Sequence, residues 1–336
     1  MPIFADLMAA DGVDVVSGDI ALERVQNGDW NIRNVYVIQE LNAKHGLALT
    51  GLGAIPFLLT GCESPLFSYF FYDNLWRIAP KFRYRMLFSG AFQAFKAADG
   101  TNIPIRFPSF LEDGRNATGS ISDKKFMVMV AANKSGFPPF PDKISELKSW
   151  IIHRLYKLFS PSFKVAQEHE LHSKRLEIVE YFGKKGLLDL YGSGWSDRRR
   201  FPKKIRESVA SVVEKLNPRF CEDKVETVSK YKFVVCLENI AYPGYVTEKI
   251  MDCFVAGAIP VYFGAPDIDK FIPANSYIDF RNFGNLEELE KYLLSLTDFE
   301  ILKIIETGSE FIASDIGRLH SYGGFAENIK KIFTDA

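Results

Sequence analysis

Several things are scarce in this 336-residue sequence, and each scarcity narrows what it can be. There are four cysteines, Cys62, Cys221, Cys236 and Cys253, with no C-x-x-C pair. Three lie in or beside apolar runs, so they read as reduced core thiols and not as a disulfide framework. Histidines number five, and although His169 and His172 have the spacing of metal ligands, no other His or Cys lies near them, which argues against zinc. No apolar run can span a bilayer: the longest uncharged stretch, 46–62, is broken by internal glycines and Pro56. Residues 1–20 are acidic and lack the basic start and apolar run of a secretory leader. Excess charge is missing as well. Lys and Arg total 41 against 42 Asp and Glu, a net charge of −1, so nothing draws the chain as a whole toward nucleic acid or membrane. There is no G-x-G-x-x-G; Gly192-Ser193-Gly194, after a predicted strand over 187–191, is a tight loop where backbone can approach a ligand, and a weak dinucleotide signal.

What is present is apolar bulk, 47% hydrophobic residues with 29 phenylalanines, in a chain long enough for two domains. The most organised stretch is 231–283. It opens with a β-branched run ending at Glu238-Asn239, which reads as a buried strand. After Pro243-Gly244, Thr247 precedes Glu248 and Lys249, and Ile250, Met251, Phe254 and Val255 recur at helical spacing, so Thr247 is the expected N-cap and Gly257 the C-cap. Residues 259–263 form the next strand. In such a strand-loop-helix-strand unit, chemistry gathers at the carboxyl end of the first strand and the helix N-terminus, where an anion is favoured. Lys249, a cation in a first helical turn, is disfavoured there unless an anion such as phosphate compensates it; a solvated surface lysine is the alternative.

Elsewhere the reading is coarser. Residues 35–44 suggest a helix, 47–50 and 55–60 strands, and 126–132 the first strand of a second domain after a polar linker at 113–122. The sequon at 116–118 is read as incidental. The 55–60 strand runs into Gly61-Cys62-Glu63-Ser64-Pro65, placing a carboxylate at a strand's carboxyl end; capping or solvation is the competing account. Residues 76–85 alternate aromatic and basic side chains, as in a half-buried strand, with a sugar-stacking acceptor surface or a nucleic-acid face as the alternatives. Residues 143–158 form an amphipathic helix with a basic polar side, expected to pack its apolar face on its own domain, with membrane-surface contact as the alternative. Arg175 opens another helix. Helices are also expected over 286–296, 301–312 and 325–333. The basic cluster 198–206 reads as a solvated loop, with an anionic acceptor, a lipid headgroup, a nucleotide or nucleic acid as alternatives. Asp267-Ile268-Asp269 has Asp-x-Asp spacing but not the usual place of a metal motif.

Glu238-Asn239, Tyr245-Val246-Thr247-Glu248-Lys249, Ala256-Gly257-Ala258-Ile259-Pro260-Val261 and Gly264-Ala265-Pro266, in that order, resemble the donor-binding motif of glycosyltransferase family 10, the α-1,3/4-fucosyltransferases. The resemblance is strongest over 231–283. It implies an α/β fold of the GT-B kind, two Rossmann-like domains facing across a cleft. Residues 1–122 would bind the acceptor, 123–310 the nucleotide sugar, and 311–336 would pack back toward the first domain. It implies metal-independent, inverting transfer of L-fucose from GDP-β-L-fucose to N-acetylglucosamine or glucose, in α-1,3 or α-1,4 linkage, with no cofactor. Glu63, in a Glu-Ser-Pro motif, would be the general base, and Arg175 and Lys249 would hold the diphosphate. Val246, Thr247 and Glu248 form the helix start. Glu248 would accept from sugar hydroxyls, and Glu238, Asn239, Tyr245 and Gly192 complete the donor set. Asn133 is retained from a Ser-Asn pair whose Ser is here Ala132.

The implied partners are GDP-fucose and a glycan, either a surface polysaccharide such as lipopolysaccharide or a chain of the lacto-N-biose or N-acetyllactosamine type that underlies Lewis antigens, and no nucleic acid. Animal members carry an N-terminal membrane anchor; its lack here suggests a bacterial-type cytoplasmic enzyme, with peripheral contact at the inner membrane as an alternative. A GT-B enzyme with another donor and a non-catalytic glycan-binding homologue are the competing readings.

Overall fold

The structure, a computed structural model, describes residues 2–40, 44–94, 100–109, 120–134, 140–141 and 143–334. The first sheet is four parallel strands in the order β1-β2-β3-β4: Tyr36–Gln39, Ile55–Thr60, Tyr84–Leu87 and Thr101–Pro104. Phe57, Leu58 and Leu59 of β2 are fully buried, the pattern of a parallel strand covered on both faces. Helices α1 (Pro2–Ala9), α2 (Gly18–Gln26), α3 (Lys44–Leu52) and α4 (Tyr69–Ile78) belong to this half.

The second sheet is also parallel, in the order β6-β5-β7-β8-β9, with β5 Lys125–Val130, β6 Leu188–Tyr191, β7 Tyr231–Leu237, β8 Ile259–Phe263 and β9 Ile278–Asp279. Helices α5 (Ile144–Phe159) and α6 (Pro161–Glu168) pack against α4 of the first half; α7 (His172–Lys184), α8 (Arg206–Leu216), α9 (Lys224–Ser229), α10 (Glu248–Val255), α11 (Leu286–Ser295) and α12 (Asp298–Ala313) flank the second sheet, and α13 (Asp315–Arg318) leads into α14 (Tyr322–Thr334). Phe233, Val235 and Leu237 of β7 feed one core and Val234 and Cys236 the other, so the sheet is packed on both sides. From β5 the chain crosses to β6 on one flank and then to β7 on the other. The crevice at that switch point, off the carboxyl ends of β5 and β7, is where open α/β sheets take ligands. Two parallel α/β units facing each other make this a GT-B architecture.

Segments late in the chain return to the first sheet. Ala326 and Ile329 of α14 share a core with Phe4, Met8, Phe57 and Leu58, and Phe163 and Ala166 of α6 join the same core. The Asp73 carboxylate of α4 accepts from Ser162 N at 2.9 Å. The halves also meet backbone to backbone, since Gly90 N donates to Pro243 O at 3.0 Å. A Cβ on Gly90 would fall 2.7 Å from the Tyr242 ring, and one on Gly244 (φ 72°) 2.5 Å from Ser89 Oγ.

Four expectations need correction. Residues 36–39, expected within a helix, form strand β1, because Tyr-Val-Ile is β-branched and aromatic and pairs with β2. Residues 47–50, expected as a strand, lie in α3; short apolar runs do not distinguish the two states. Residues 76–85 span the end of α4, a 3-10 turn at Ala79–Lys81 and the start of β3, so their alternation is not that of one strand. The apolar face of α5 does not pack on the protein: Ile144, Ile151, Ile152, Leu155, Leu158 and Phe159 are exposed. Of the linker expected at 113–122 only 120–122 is described, and the sequon lies outside the described residues.

Candidate functional site

A cavity of about 260 Å³ opens at the switch point, walled by the ends of β5 and β7, the start of α10 and, from the first domain, Cys62, Glu63 and Phe107. Seven of the residues singled out in the sequence line it: Glu63, Arg175, Asn239, Tyr245, Thr247, Glu248 and Lys249. Glu238 and Val246 are buried behind its wall. Gly192 serves the frame: at φ 124°, any Cβ there would sit 2.2 Å from Ala131 O.

Glu238 follows β7 directly and its carboxylate is fully buried. Oε1 accepts from Thr247 N at 2.9 Å, and Oε2 accepts from Thr247 Oγ at 2.8 Å and from Lys249 Nζ at 2.8 Å. This carboxylate ties the strand end to the helix start and corrects two expectations. Thr247 occupies the N-cap position, but its hydroxyl donates to Glu238 and does not cap the helix. The anion compensating Lys249 is Glu238 itself, so no bound phosphate is needed to explain that lysine. Burial works to lower the Lys249 pKa, yet Glu238 and Glu248 outweigh it and hold the value above the usual range.

Arg175 differs. It projects from α7 and is buried, with Nη2 donating to Leu237 O (2.8 Å), Glu238 O (2.8 Å) and Asn239 Oδ1 (3.2 Å). All three acceptors are neutral, as is His172, whose Nδ1 lies 3.5 Å from Nη1, so among the described residues its charge has no carboxylate in hydrogen-bond contact. Burial pulls the Arg175 pKa down, partly offset by Glu238 and Tyr245. A guanidinium at the low-dielectric floor of a cleft has a strong field for an anion above it.

From Arg175 a chain of contacts leads across the domain boundary. Asn239 Nδ2 donates to Tyr245 Oη at 3.3 Å, and Tyr245 Oη donates to Glu63 Oε1 at 3.1 Å. Burial pushes the Tyr245 phenol well above its usual pKa, with Glu238 and Glu63 adding to the shift, so it stays a donor. Ser64 N (2.7 Å) and Ser64 Oγ (3.1 Å) also donate to Oε1, while Tyr72 Oη holds the Glu63 carbonyl at 2.9 Å. Among the described residues, Oε2 of Glu63 accepts none of these bonds. One oxygen is fixed and the other presented, which suits a base receiving a proton.

Sequence reasoning missed Lys134, Lys224, Asp252 and Phe107 in the lining. Lys224 and Asp252 pair at 2.6 Å beneath the pocket, and only their helical placement could have signalled it. His172 is held neutral, its pKa lowered to about 3 by burial and by Arg175, Lys134 and Lys249. Asp267 accepts from Gly244 N at 2.8 Å, pinning the loop before α10. Within the basic cluster Arg198 is paired with Glu207 and Glu214, and Arg199 and Arg200 with Asp197, while Arg206 donates to the Phe201 carbonyl. Among the described residues no group of three or more His, Cys, Asp or Glu is placed to hold a metal, and no helix is long and apolar enough to cross a membrane.

Residues 161–300 match the family model described as glycosyltransferase family 10 (fucosyltransferase) C-term. An alpha-(1,4)-fucosyltransferase of Arabidopsis thaliana is 44% identical over 71 residues, 21% of this chain and 18% of that protein. The alpha-(1,3)-fucosyltransferase FucT of Helicobacter pylori is 39% identical over 72 residues, 21% and 15% of the two chains. A mouse 4-galactosyl-N-acetylglucosaminide 3-alpha-L-fucosyltransferase 9 is 38% identical over 124 residues, 34% of each. The chain thus spans between 15% and 34% of the length of these relatives. Among solved structures, a glycosyltransferase from Rickettsia africae aligns over 96% of this chain and 84% of its own at TM-score 0.56 and 12% identity. An α,α-trehalose-phosphate synthase (UDP-forming) from Burkholderia vietnamiensis aligns over 99% and 82% at TM-score 0.51 and 10% identity. These two likenesses concern the fold.

Proposed function

From a chain whose residues 161–300 form the C-terminal domain of a glycosyltransferase family 10 protein, we propose an inverting fucosyltransferase. It moves L-fucose from GDP-β-L-fucose to a hydroxyl of N-acetylglucosamine or glucose in a glycan, forming an α-1,3 or α-1,4 linkage. The observation that carries the reading is the Glu63 carboxylate. It comes from the first domain, is held at 3.1 Å by Tyr245 of the second, and faces the cavity whose floor holds Arg175.

The acceptor hydroxyl attacks C1 of the sugar as its proton passes to Glu63 Oε2. The bond from C1 to the diphosphate oxygen breaks, and that oxygen leaves with the electron pair, so a β-linked donor gives an α-L-fucoside. General-base assistance of this kind contributes ~10²–10⁴-fold. Negative charge growing on the diphosphate is met by Arg175, by Lys249 shared with Glu238, and by the N-terminus of α10, a preorganised set that needs no metal. In this reading the Glu248 carboxylate, at the first helical residue and in the cavity lining, accepts from ribose or sugar hydroxyls.

The test is calorimetric binding of GDP-fucose, GDP-mannose and a UDP-sugar in chelator, followed by transfer to an acceptor panel. Binding of GDP-fucose alone, with transfer lost in Glu63→Gln but binding kept, is the expected result. Absence of guanine-nucleotide binding, or full turnover by Glu63→Gln, overturns it.

A further inference from the structure

Helix α5 faces the wrong way for a packing element. Its protein-facing contacts come from polar and aromatic residues: Tyr69 Oη and His153 Nδ1 lie 2.7 Å apart, Tyr156 packs on Tyr69 and Phe70 at 5.4 and 5.5 Å, and the Lys157 ammonium lies over Phe163 at 4.9 Å. The opposite face is apolar and open to solvent, from Ile144 at 90% exposure through Ile151, Ile152, Leu155 and Leu158 to Phe159 at 78%. Phe70 of α4, itself 59% exposed, adjoins it through Tyr156. A face of this composition is costly in water unless something covers it.

The charges indicate what covers it. Lys148 stands four residues after Ile144 and three before Ile151, so it rises from within the apolar stripe, and Lys143 precedes the helix; both are exposed and, among the described residues, have no ion pair. A second copy packed face to face would bury two like-charged Lys148 side chains together. A bilayer imposes no such cost, because a lysine at its surface extends toward phosphate while its stem and the neighbouring isoleucines enter the acyl boundary. We propose that α5 docks the protein on a membrane surface carrying anionic lipid. Tyr69 begins α4, the helix that follows the Glu63 loop, so docking holds the acceptor side of the cleft beside the bilayer. The docking rests on α5 alone; only the placing of the acceptor side rests on the proposed reaction.

The experiment is flotation of the full chain with phosphatidylcholine vesicles with and without phosphatidylglycerol. Binding to the anionic vesicles, weakened by salt, is expected. Leu155→Glu with Ile151→Glu should abolish it, and Lys143→Gln and Lys148→Gln should each weaken it about fivefold, an effect absent on neutral lipid. All four positions are exposed, and an unchanged thermal transition shows that the variants fold. No binding to anionic vesicles, or binding indifferent to both variant pairs, overturns the proposal. So does self-association that Leu155→Glu breaks in a chain that ignores vesicles, which would assign the face to a second copy.

Discussion

Replacing Tyr245 by Phe removes one oxygen and keeps the ring, which is 2% exposed and packs on Phe88 at 4.8 Å. What is lost is the donor at 3.1 Å from Glu63 Oε1 and the acceptor at 3.3 Å from Asn239 Nδ2. A hydrogen bond to a charged group is worth ~1.5–3 kcal/mol, and ~1.4 kcal/mol corresponds to a factor of ten in rate. Ser64 still supplies two donors to the same oxygen, so the lower end applies and kcat should fall about tenfold, against ~10²–10⁴-fold for Glu63→Gln. Donor affinity should hardly change, because Asn239 keeps its bond from Arg175. The assay is release of GDP at saturating donor and acceptor, with donor affinity measured separately by calorimetry. An unchanged kcat refutes the positioning of Glu63 from the second domain. A weakened donor with unchanged kcat makes Tyr245 only part of the pocket wall.

Lys249→Met should cost ~3–5 kcal/mol in denaturant unfolding because it strands a fully buried carboxylate. Adding Glu238→Gln should restore part of that stability without restoring GDP binding. Gly244→Ala, at φ 72° and 2.5 Å from Ser89 Oγ, should lower the melting temperature and turnover more than Gly186→Ala, at φ 69° with open space around it. His320, buried, bonded to Phe107 O and near Arg106, has its pKa lowered to about 4 by burial and by that arginine. Between 6.5 and 4 the unfolded chain therefore binds more protons than the folded one, and stability should drop as pH falls through that window, at up to ~1.4 kcal/mol per unit. His320→Gln should flatten the slope seen in urea titrations at several pH values.

The second domain was the more legible in sequence, for a physical reason. β7 and β8 are buried on both faces, so they read as unbroken apolar runs, and the helix between them carries its stripe and its closing Gly257 at φ 60°. β1 is a four-residue edge strand with one exposed end, and α3 exposes Leu47 and Leu52, so neither had a clear period. Glu63 and Arg175 had little local signal and stood out only through resemblance. Their contacts with Tyr245 and Leu237 join residues 182 and 62 positions apart, a relation no local pattern contains. The outward face of α5 was illegible because amphipathicity reveals that a helix has two sides but not which one meets the protein.

The meeting of Gly90 with Tyr242 and of Gly244 with Ser89 has a consequence for how such a molecule can diversify. Where domains touch through side chains, each substitution at the seam resets their spacing. Here part of the seam is held by glycine backbone, Gly90 against Pro243 and Tyr242 and Gly244 against Ser89, one residue before Tyr245 reaches over to Glu63. Under the proposed reaction, the distance from Glu63 to the cavity floor is therefore held at these points against sequence drift elsewhere in the first domain. Loops that greet different acceptors can be rebuilt around a reaction centre whose dimensions stay put, so that selectivity can wander while chemistry keeps its gauge.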